Sequence, residues 1–155
     1  MLAISQTTKS DHVLVTLAGV IDEEAKLGEI QTAIALPLRF ECSGIKRFNS
    51  SGIRAWILAL EKLRERRVQF EFVSCPPIFV EQLNNFSNFA CGGAVRSVHI
   101  PFACGSCGNQ FVISAAVNSL KPPIKDVPDQ PCPKCKAKAA FDDLAEEYFS
   151  FLNRK

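Results

Sequence analysis

Residues 38–74 read LRFECSGIKRFNSSGIRAWILALEKLRERRVQFEFVS and predict a strand, a helix and another strand. Leu38–Cys42 favours a core strand, and Ser43-Gly44 is expected to break it before a loop. From about Ile53 to Arg67, apolar residues recur at steps of three and four, as along one face of a helix. Val68–Ser74 alternates apolar with polar residues, which is typical of a strand with one buried face. The stretch therefore predicts α/β layers with some parallel pairing.

Further elements are predicted on both sides of this stretch. His12–Gly19 alternates in polarity and predicts an earlier strand. A helix is expected to start at Asp22 and to end before Pro37, and another to begin at Cys75-Pro-Pro77. Val95–Ile100 is expected to be a short strand. The predicted buried stripes are Leu27, Ile30 and Ile34 on the first of these helices and Val80, Leu83 and Phe86 on the second.

The C-terminal third carries two Cys-x-x-Cys pairs, formed by Cys104, Cys107, Cys132 and Cys135. Two such pairs are typical of zinc ribbons, in which four sulfurs bind Zn2+ at about 2.3 Å. A shell of four cysteines leaves no open position for a substrate, so we expect a structural Zn2+. A rubredoxin-like iron site would use the same ligands, but Lys136 follows Cys135 where that family usually has Gly. A redox dithiol is disfavoured because it usually has a single pair.

The chain is expected to form two units, residues 1–100 and residues 101–155, with the boundary near Pro101. The second unit would end in a helix over Asp142–Asn153, with its acids near the positive N-terminal end. Its predicted apolar face comprises Leu144, Tyr148 and Phe151 or Leu152. The remaining cysteines are expected to be small buried hydrophobic residues; they are Cys42, Cys75 and Cys91.

Composition restricts the classes of function. The 155 residues carry a net charge of +2, with 11 Lys/Arg against 10 Asp/Glu in residues 1–100 and 7 against 6 in residues 101–155. This balance disfavours nucleic-acid binding. No apolar run approaches the roughly 20 residues of a membrane span, and the N-terminus lacks the features of a signal peptide, so we expect a cytoplasmic protein. No catalytic triad, paired acids or phosphate-binding loop is present, which disfavours an enzyme.

Three motifs in the N-terminal part resemble STAS domains, the domains of sulfate transporters and anti-sigma factor antagonists. They are Leu17-Ala-Gly-Val-Ile-Asp-Glu-Glu-Ala25, Glu41-Cys-Ser-Gly-Ile-Lys-Arg-Phe-Asn-Ser-Ser-Gly-Ile53 and Val73-Ser-Cys-Pro-Pro77. The resemblance covers roughly residues 10–95. It implies a mixed sheet with helices packed on it, which agrees with the predicted order of elements.

The resemblance also implies a function. Antagonists of this family bind a kinase-like anti-sigma factor, and phosphorylation of the first Ser in an Asp-Ser-Ser-Gly motif switches that binding. The matching phosphoacceptor here is Ser50, preceded by Asn49 where the family has Asp. The implied partner-binding residues are Asn49, Ser50, Ser51, Gly52 and Arg54. The residues alone predict that Ser50 or Ser51 caps the helix, that Gly52 permits a tight turn, and that the helix start attracts an anion.

The sequence thus favours a non-catalytic signalling module that binds a regulatory protein and carries a structural zinc ribbon. The alternative is a nucleic-acid- or transcription-associated zinc-ribbon protein. Whether the chain forms a homodimer is open at this point.

Overall fold

The computed structural model describes residues 1–30 and 35–153. Its α/β architecture confirms the predicted fold class, with a four-cysteine cluster near the C-terminus. The strands are β1 (Ala3–Thr8), β2 (Val13–Ile21), β3 (Leu38–Phe48), β4 (Phe70–Val73), β5 (Ala94–Val95), β6 (Ser97–Cys104), β7 (Gln110–Ala116), β8 (Gln130–Pro131) and β9 (Lys138–Phe141). The α-helices are α1 (Ser50–Glu65), α2 (Pro77–Asn85) and α3 (Ala145–Tyr148); Leu27–Glu29, Val117–Ser119 and Phe149–Asn153 are 3₁₀ turns.

The first sheet is mixed and has the strand order β1-β2-β3-β4-β5. β1 runs antiparallel to β2, and the other neighbours are parallel. Its core is aromatic and centres on Trp56 of α1, whose indole Nε1 donates to the Phe89 carbonyl oxygen at 3.1 Å. Buried rings surround this indole: Phe40, Phe48, Phe72, Phe79 and Phe89. The helical spacing predicted for α1 thus places its Trp56, Leu60 and Leu63 in the core.

β3 does not break at Ser43-Gly44, so that prediction was wrong. The strand continues to Phe48, and α1 begins at Ser50 rather than near Ile53. A Cβ at Gly44 would lie 2.7 Å from the Leu17 carbonyl oxygen. Gly44 therefore allows close approach of β2, beside a shift in their register, instead of ending the strand.

The predicted helix from Asp22 is also wrong within the described residues. Asp22 Oδ1 accepts a hydrogen bond from the Glu24 amide at 3.0 Å, and the backbone carbonyl oxygen of Asp22 accepts one from the Ala25 amide at 3.1 Å. The two bonds close a turn. Such a local side-chain bond competes with helix formation. Only the turn at Leu27–Glu29 follows, and the predicted position Ile34 lies outside the described residues. β1 was not predicted from the sequence.

The second sheet has the strand order β7-β6-β9-β8 and is antiparallel. It is joined directly to the first sheet, because only Arg96 separates β5 from β6 and its amide donates to the Phe72 carbonyl oxygen at 2.8 Å. A bridge between Cys75 and Val98 prolongs this pairing into β6. The boundary expected near Pro101 therefore falls within a strand, and the division into two units stays a prediction.

The C-terminal segment folds back on α2. The Asn84 side-chain amide donates to the Tyr148 carbonyl oxygen at 3.0 Å, and Ser150 Oγ donates to Asn84 Oδ1 at 2.9 Å. The helix expected over Asp142–Asn153 is shorter, because α3 covers one turn and the 3₁₀ turn continues it.

Two residues assigned to buried stripes are in fact exposed. Leu144 precedes α3 and is 64% exposed, and Phe86 follows α2 and is 39% exposed. Tyr148 is buried, as predicted, and Phe149 is buried beside it. None of the helices within the described residues is long and apolar enough to cross a membrane.

Candidate metal centre and α1 loop

The two Cys-x-x-Cys pairs form matching turns at one end of the second sheet. In the first turn, the Gly108 amide donates to the Cys104 carbonyl oxygen at 2.9 Å; in the second, the Lys136 amide donates to the Cys132 carbonyl oxygen at 2.9 Å. Gly108 and Lys136 hold equivalent left-handed conformations, with φ of 75° and 68°. A non-glycine residue pays a cost of roughly 1 kcal/mol or more there. The hydrogen bond that closes the second turn therefore stabilises Lys136 in this left-handed conformation.

The four cysteine sulfurs converge on one point. The Sγ atoms of Cys104 and Cys135 are 3.5 Å apart, those of Cys107 and Cys132 are 3.7 Å apart, and all four lie within 4.8 Å of one another. Sulfurs bound tetrahedrally at about 2.3 Å are about 3.8 Å apart. The structure thus brings together all four predicted ligands in a cluster that could hold a metal ion.

Backbone amides prepare part of this cluster for ionisation. The amides of Cys135 and Lys134 point to the Cys132 sulfur and lower the pKa of this thiol to about 6. The Ala137 amide acts in the same direction on Cys135, but the crowded sulfurs, Cys104 first, outweigh it and raise the pKa of Cys135 to about 12. Ionising all four thiols together therefore requires a cation among them.

Asn109 links the two turns and was not identified from the sequence. Its side-chain amide lies 3.7 Å from the Cys132 sulfur, and its carbonyl oxygen accepts from the Cys104 amide at 2.9 Å. Its position two residues after Cys107 is the only signal that the sequence offers for this role. Such outer contacts orient metal ligands.

The loop before α1 is organised by Asn49. Its Oδ1 accepts from the Gly52 amide at 2.7 Å, so Asn49 caps α1, and the prediction that Ser50 or Ser51 is the cap was wrong. Asn49 Nδ2 also donates to Glu23 Oε2 at 2.7 Å. This bond lowers the pKa of Glu23. A carboxylate therefore already lies near the helix start at which an anion was predicted to bind.

The other predicted loop residues differ in accessibility. Ser50, Ser51 and Arg54 are exposed, and Ser50 and Arg54 line one groove. Gly52 is buried, and a Cβ there would lie 1.8 Å from the Ile21 carbonyl oxygen. Its contribution is close packing between α1 and β2. A role of these residues in partner binding stays a prediction.

The three cysteines outside the cluster are buried, as expected of small hydrophobic residues. Burial raises the pKa of Cys42 well above its ordinary value, and the adjacent Cys75 adds to this effect. Cys42 is therefore a poor nucleophile.

No model of a known protein family matches this chain, and a search of curated proteins also finds no match. The fold and the four-cysteine cluster therefore rest on the structure alone, and the resemblance to STAS domains stays an interpretation of the sequence motifs.

Proposed function

We propose that this protein is a non-catalytic interaction module that binds a regulatory protein through the start of α1 and is stabilised by a structural Zn2+ ion. The proposal depends mainly on one observation, an open groove of ≈ 530 Å³ beside the Asn49–Gly52 loop. The groove is lined by Ser50, Ile53, Arg54, Ile57, Leu58, Glu61, Phe86 and Asn88.

The chemistry of this groove suits a protein partner. Leu58 is 48% exposed, and with Phe86 it offers apolar contact area that no described residue covers. Arg54 and Glu61 add one charge of each sign to its lining. Exposed apolar residues accompanied by polar and charged ones are usual in a protein interface.

The resemblance to STAS domains suggests what the partner is. A mixed sheet with helices packed on it is the architecture that the resemblance implies, and Ser50 is exposed at the first residue of α1. A partner of the anti-sigma factor or kinase-like type is proposed on this basis. Phosphate on Ser50 would add negative charge near Glu23 and would thereby weaken the Asn49–Glu23 contact.

Binding assays on the intact chain test the docking surface. Leu58→Glu is expected to weaken capture of the partner from source cells by about tenfold or more, because a charge replaces an exposed apolar residue that lines the groove. Leu144→Glu is the matched control, since Leu144 is 64% exposed but lies outside the groove. Equal capture by both variants would contradict the proposal, and mass spectrometry of Ser50 and Ser51 tests phosphorylation.

Metal analysis tests the zinc assignment separately. Tetrahedral four-cysteine sites of this geometry are typical of structural zinc. Elemental analysis of the purified protein is expected to give one zinc per chain, and Cys132→Ser is expected to lose it. A red, iron-containing preparation would show that the site binds iron and not zinc, and a folded second sheet without metal would contradict both assignments.

A further inference from the structure

The outer edge of β7 is the longest unprotected strand edge of the second sheet. Two backbone hydrogen bonds fix the pairing at the ends of β7: the Val117 amide donates to the Arg96 carbonyl oxygen at 2.8 Å, and the Cys104 amide donates to the Asn109 carbonyl oxygen at 2.9 Å. In this register, the backbone amides and carbonyl oxygens of the odd-numbered residues of β7 point towards β6. The even-numbered residues point their backbone groups away from the sheet. They are Gln110, Val112, Ser114 and Ala116, and among residues 1–30 and 35–153 their outward backbone groups have one hydrogen-bond partner, Ser119 Oγ, which donates to the Ala116 carbonyl oxygen at 2.7 Å.

Proteins usually protect such an edge with charges, proline or short length. β8, at the opposite edge, has two residues and contains Pro131, and β1, at an edge of the first sheet, is mostly polar. β7 has seven residues, QFVISAA, without a charge or a proline. Val112 is 46% exposed and Ile113 is 36% exposed. The edge therefore favours pairing with another strand.

We propose that β7 pairs antiparallel with β7 of a second copy of this chain, which makes one continuous sheet across a two-fold axis. The strand is self-complementary when Ile113 lies on the axis. Val112 then faces Ser114 of the second copy and Gln110 faces its Ala116, so each outward amide meets a carbonyl oxygen. A second copy supplies a strand of the same length, so this register pairs all seven residues of each β7, which an unrelated partner need not do.

The side chains agree with this register. Ile113 lies on the same face as its β6 neighbour Ile100, next to the stacked pair Phe102 and Phe111, whose ring centroids are 5.6 Å apart. On the axis, the two Ile113 residues form a pair without hydrogen bonds, whose Cα atoms are about 4.5 Å apart. The apolar face of the sheet thus continues from one copy into the other.

The contact is small, so the dimer is weak. One strand pair lies at the low end of interface sizes, below the about 800 Å² per partner of a standard interface. We expect a Kd on the order of 10–100 μM. Sedimentation of the zinc-loaded full chain from about 1 to about 500 μM brackets this range.

Ser114→Pro tests the edge directly. The Ser114 amide points outward, so proline there removes no hydrogen bond to β6 but removes two between copies, which weakens the dimer by about 30-fold. Ser114→Thr keeps the amide and is the matched control. Zinc content and circular dichroism report whether each variant folds.

Exchange of charge at the axis tests the register and does not depend on proline. Ile113→Lys and Ile113→Glu are each expected to be monomers, because like charges meet at the axis, and an equimolar mixture of the two is expected to restore dimers. A wild-type monomer at every concentration would overturn the proposal and leave another protein's strand as the occupant of the edge. A wild-type dimer that persists in Ile113→Lys and Ser114→Pro would place the contact elsewhere and overturn it too.

Discussion

Asn49 performs two tasks with one side chain. Its oxygen caps α1 through the Gly52 amide, and its nitrogen bonds to Glu23 in the turn after β2. The sequence motif has Asp at this position in the family that it resembles, and Asp would provide the cap but no donor for a neighbouring carboxylate. The amide therefore suits a loop in which Glu23 is the adjacent group.

Truncating this side chain tests the cap. Asn49→Ala is expected to lower the free energy of unfolding by about 1 kcal/mol, because the first turn of α1 loses its acceptor. Asn49→Ser keeps an acceptor and is expected to cost less. Guanidinium denaturation measures both, and equal losses would show that capping is not what Asn49 contributes. In both variants the pKa of Glu23, followed by NMR, should rise towards its ordinary value.

Glu71 of β4 is an acid held between two arginines, Arg39 of β3 and Arg96, which lies between β5 and β6. Its Oε1 accepts from Arg39 Nε and its Oε2 from Arg96 Nε, both at 2.7 Å. Partial burial alone would raise the pKa of Glu71. The hydrogen bonds from Arg96 and Arg39 outweigh this effect, so the net pKa lies below the ordinary value of 4.5. A lowered pKa contributes stability that is present above pH 4.5 and is lost as the pH falls through the folded value.

Glu71→Gln tests this dependence. The variant is expected to be less stable than the wild type by about 1 kcal/mol at pH 7, since the arginines are partly exposed and solvent screens the pairs. The difference should disappear in acid, as the wild-type carboxylate becomes protonated. Glu24→Gln, at an exposed acid, is the control. A difference that stays constant down to pH 2 would mean that shape, and not charge, is what Glu71 contributes.

Among the helices and strands, periodicity predicted α1 and β4 because each buries a stripe against the aromatic core. It failed where a single contact decided the outcome. Gly44 was interpreted as a break, but it is a close approach of two strands, which depends on a partner distant in sequence. Asp22 was interpreted as a helix start, but its carboxylate closes a turn instead. The cysteine cluster could be predicted, because its chemistry needs only residue type and spacing.

Gly52 shows how the start of α1 is fixed against β2. A Cβ there would lie 1.8 Å from the Ile21 carbonyl oxygen, so Gly52→Ala must push the helix off the sheet. We expect a loss of about 3 kcal/mol in the free energy of unfolding. Gly28→Ala is the matched control, because a Cβ at Gly28 would meet nothing within 4 Å. Similar stability of both variants would contradict the tight packing, and a loss of partner binding by a stable Gly52→Ala protein would support the docking surface.

Across the whole molecule, the two sheets are connected by structure as well as by sequence. β5 and β6 follow one another along the edge of β4, and Asn84 of α2 bonds to Tyr148 and Ser150. The boundary was predicted near Pro101 because the cysteine ribbon was expected to follow the short strand Val95–Ile100. The strand instead continues through Pro101 to Cys104. These contacts raise the question of whether removing a metal ion from the four cysteines would unfold the second sheet without affecting the first.

Two intrinsic fluorophores allow that question to be answered. The single Trp, Trp56, is buried in the aromatic core of the first sheet, and the single Tyr, Tyr148, is buried against the second with its hydroxyl donating to the His99 carbonyl oxygen. A metal ion held by the four cysteines would supply folding energy to the small second sheet, whereas the core of six large aromatic residues in the first sheet would not need it. Removing the metal with a strong chelator is expected to expose Tyr148 and leave Trp56 emission unchanged.

Cys132→Ser should reproduce this result without chelator, because three thiolates hold the metal more weakly than four. Ser is also unable to keep the low-pKa thiolate that the amide of Cys135 stabilises. Cys91→Ser is the control, since Cys91 is buried outside the cluster. If Trp56 emission shifts together with Tyr148 on metal removal, the shared strand transmits the loss, the chain unfolds as one cooperative unit, and the two-unit division is wrong.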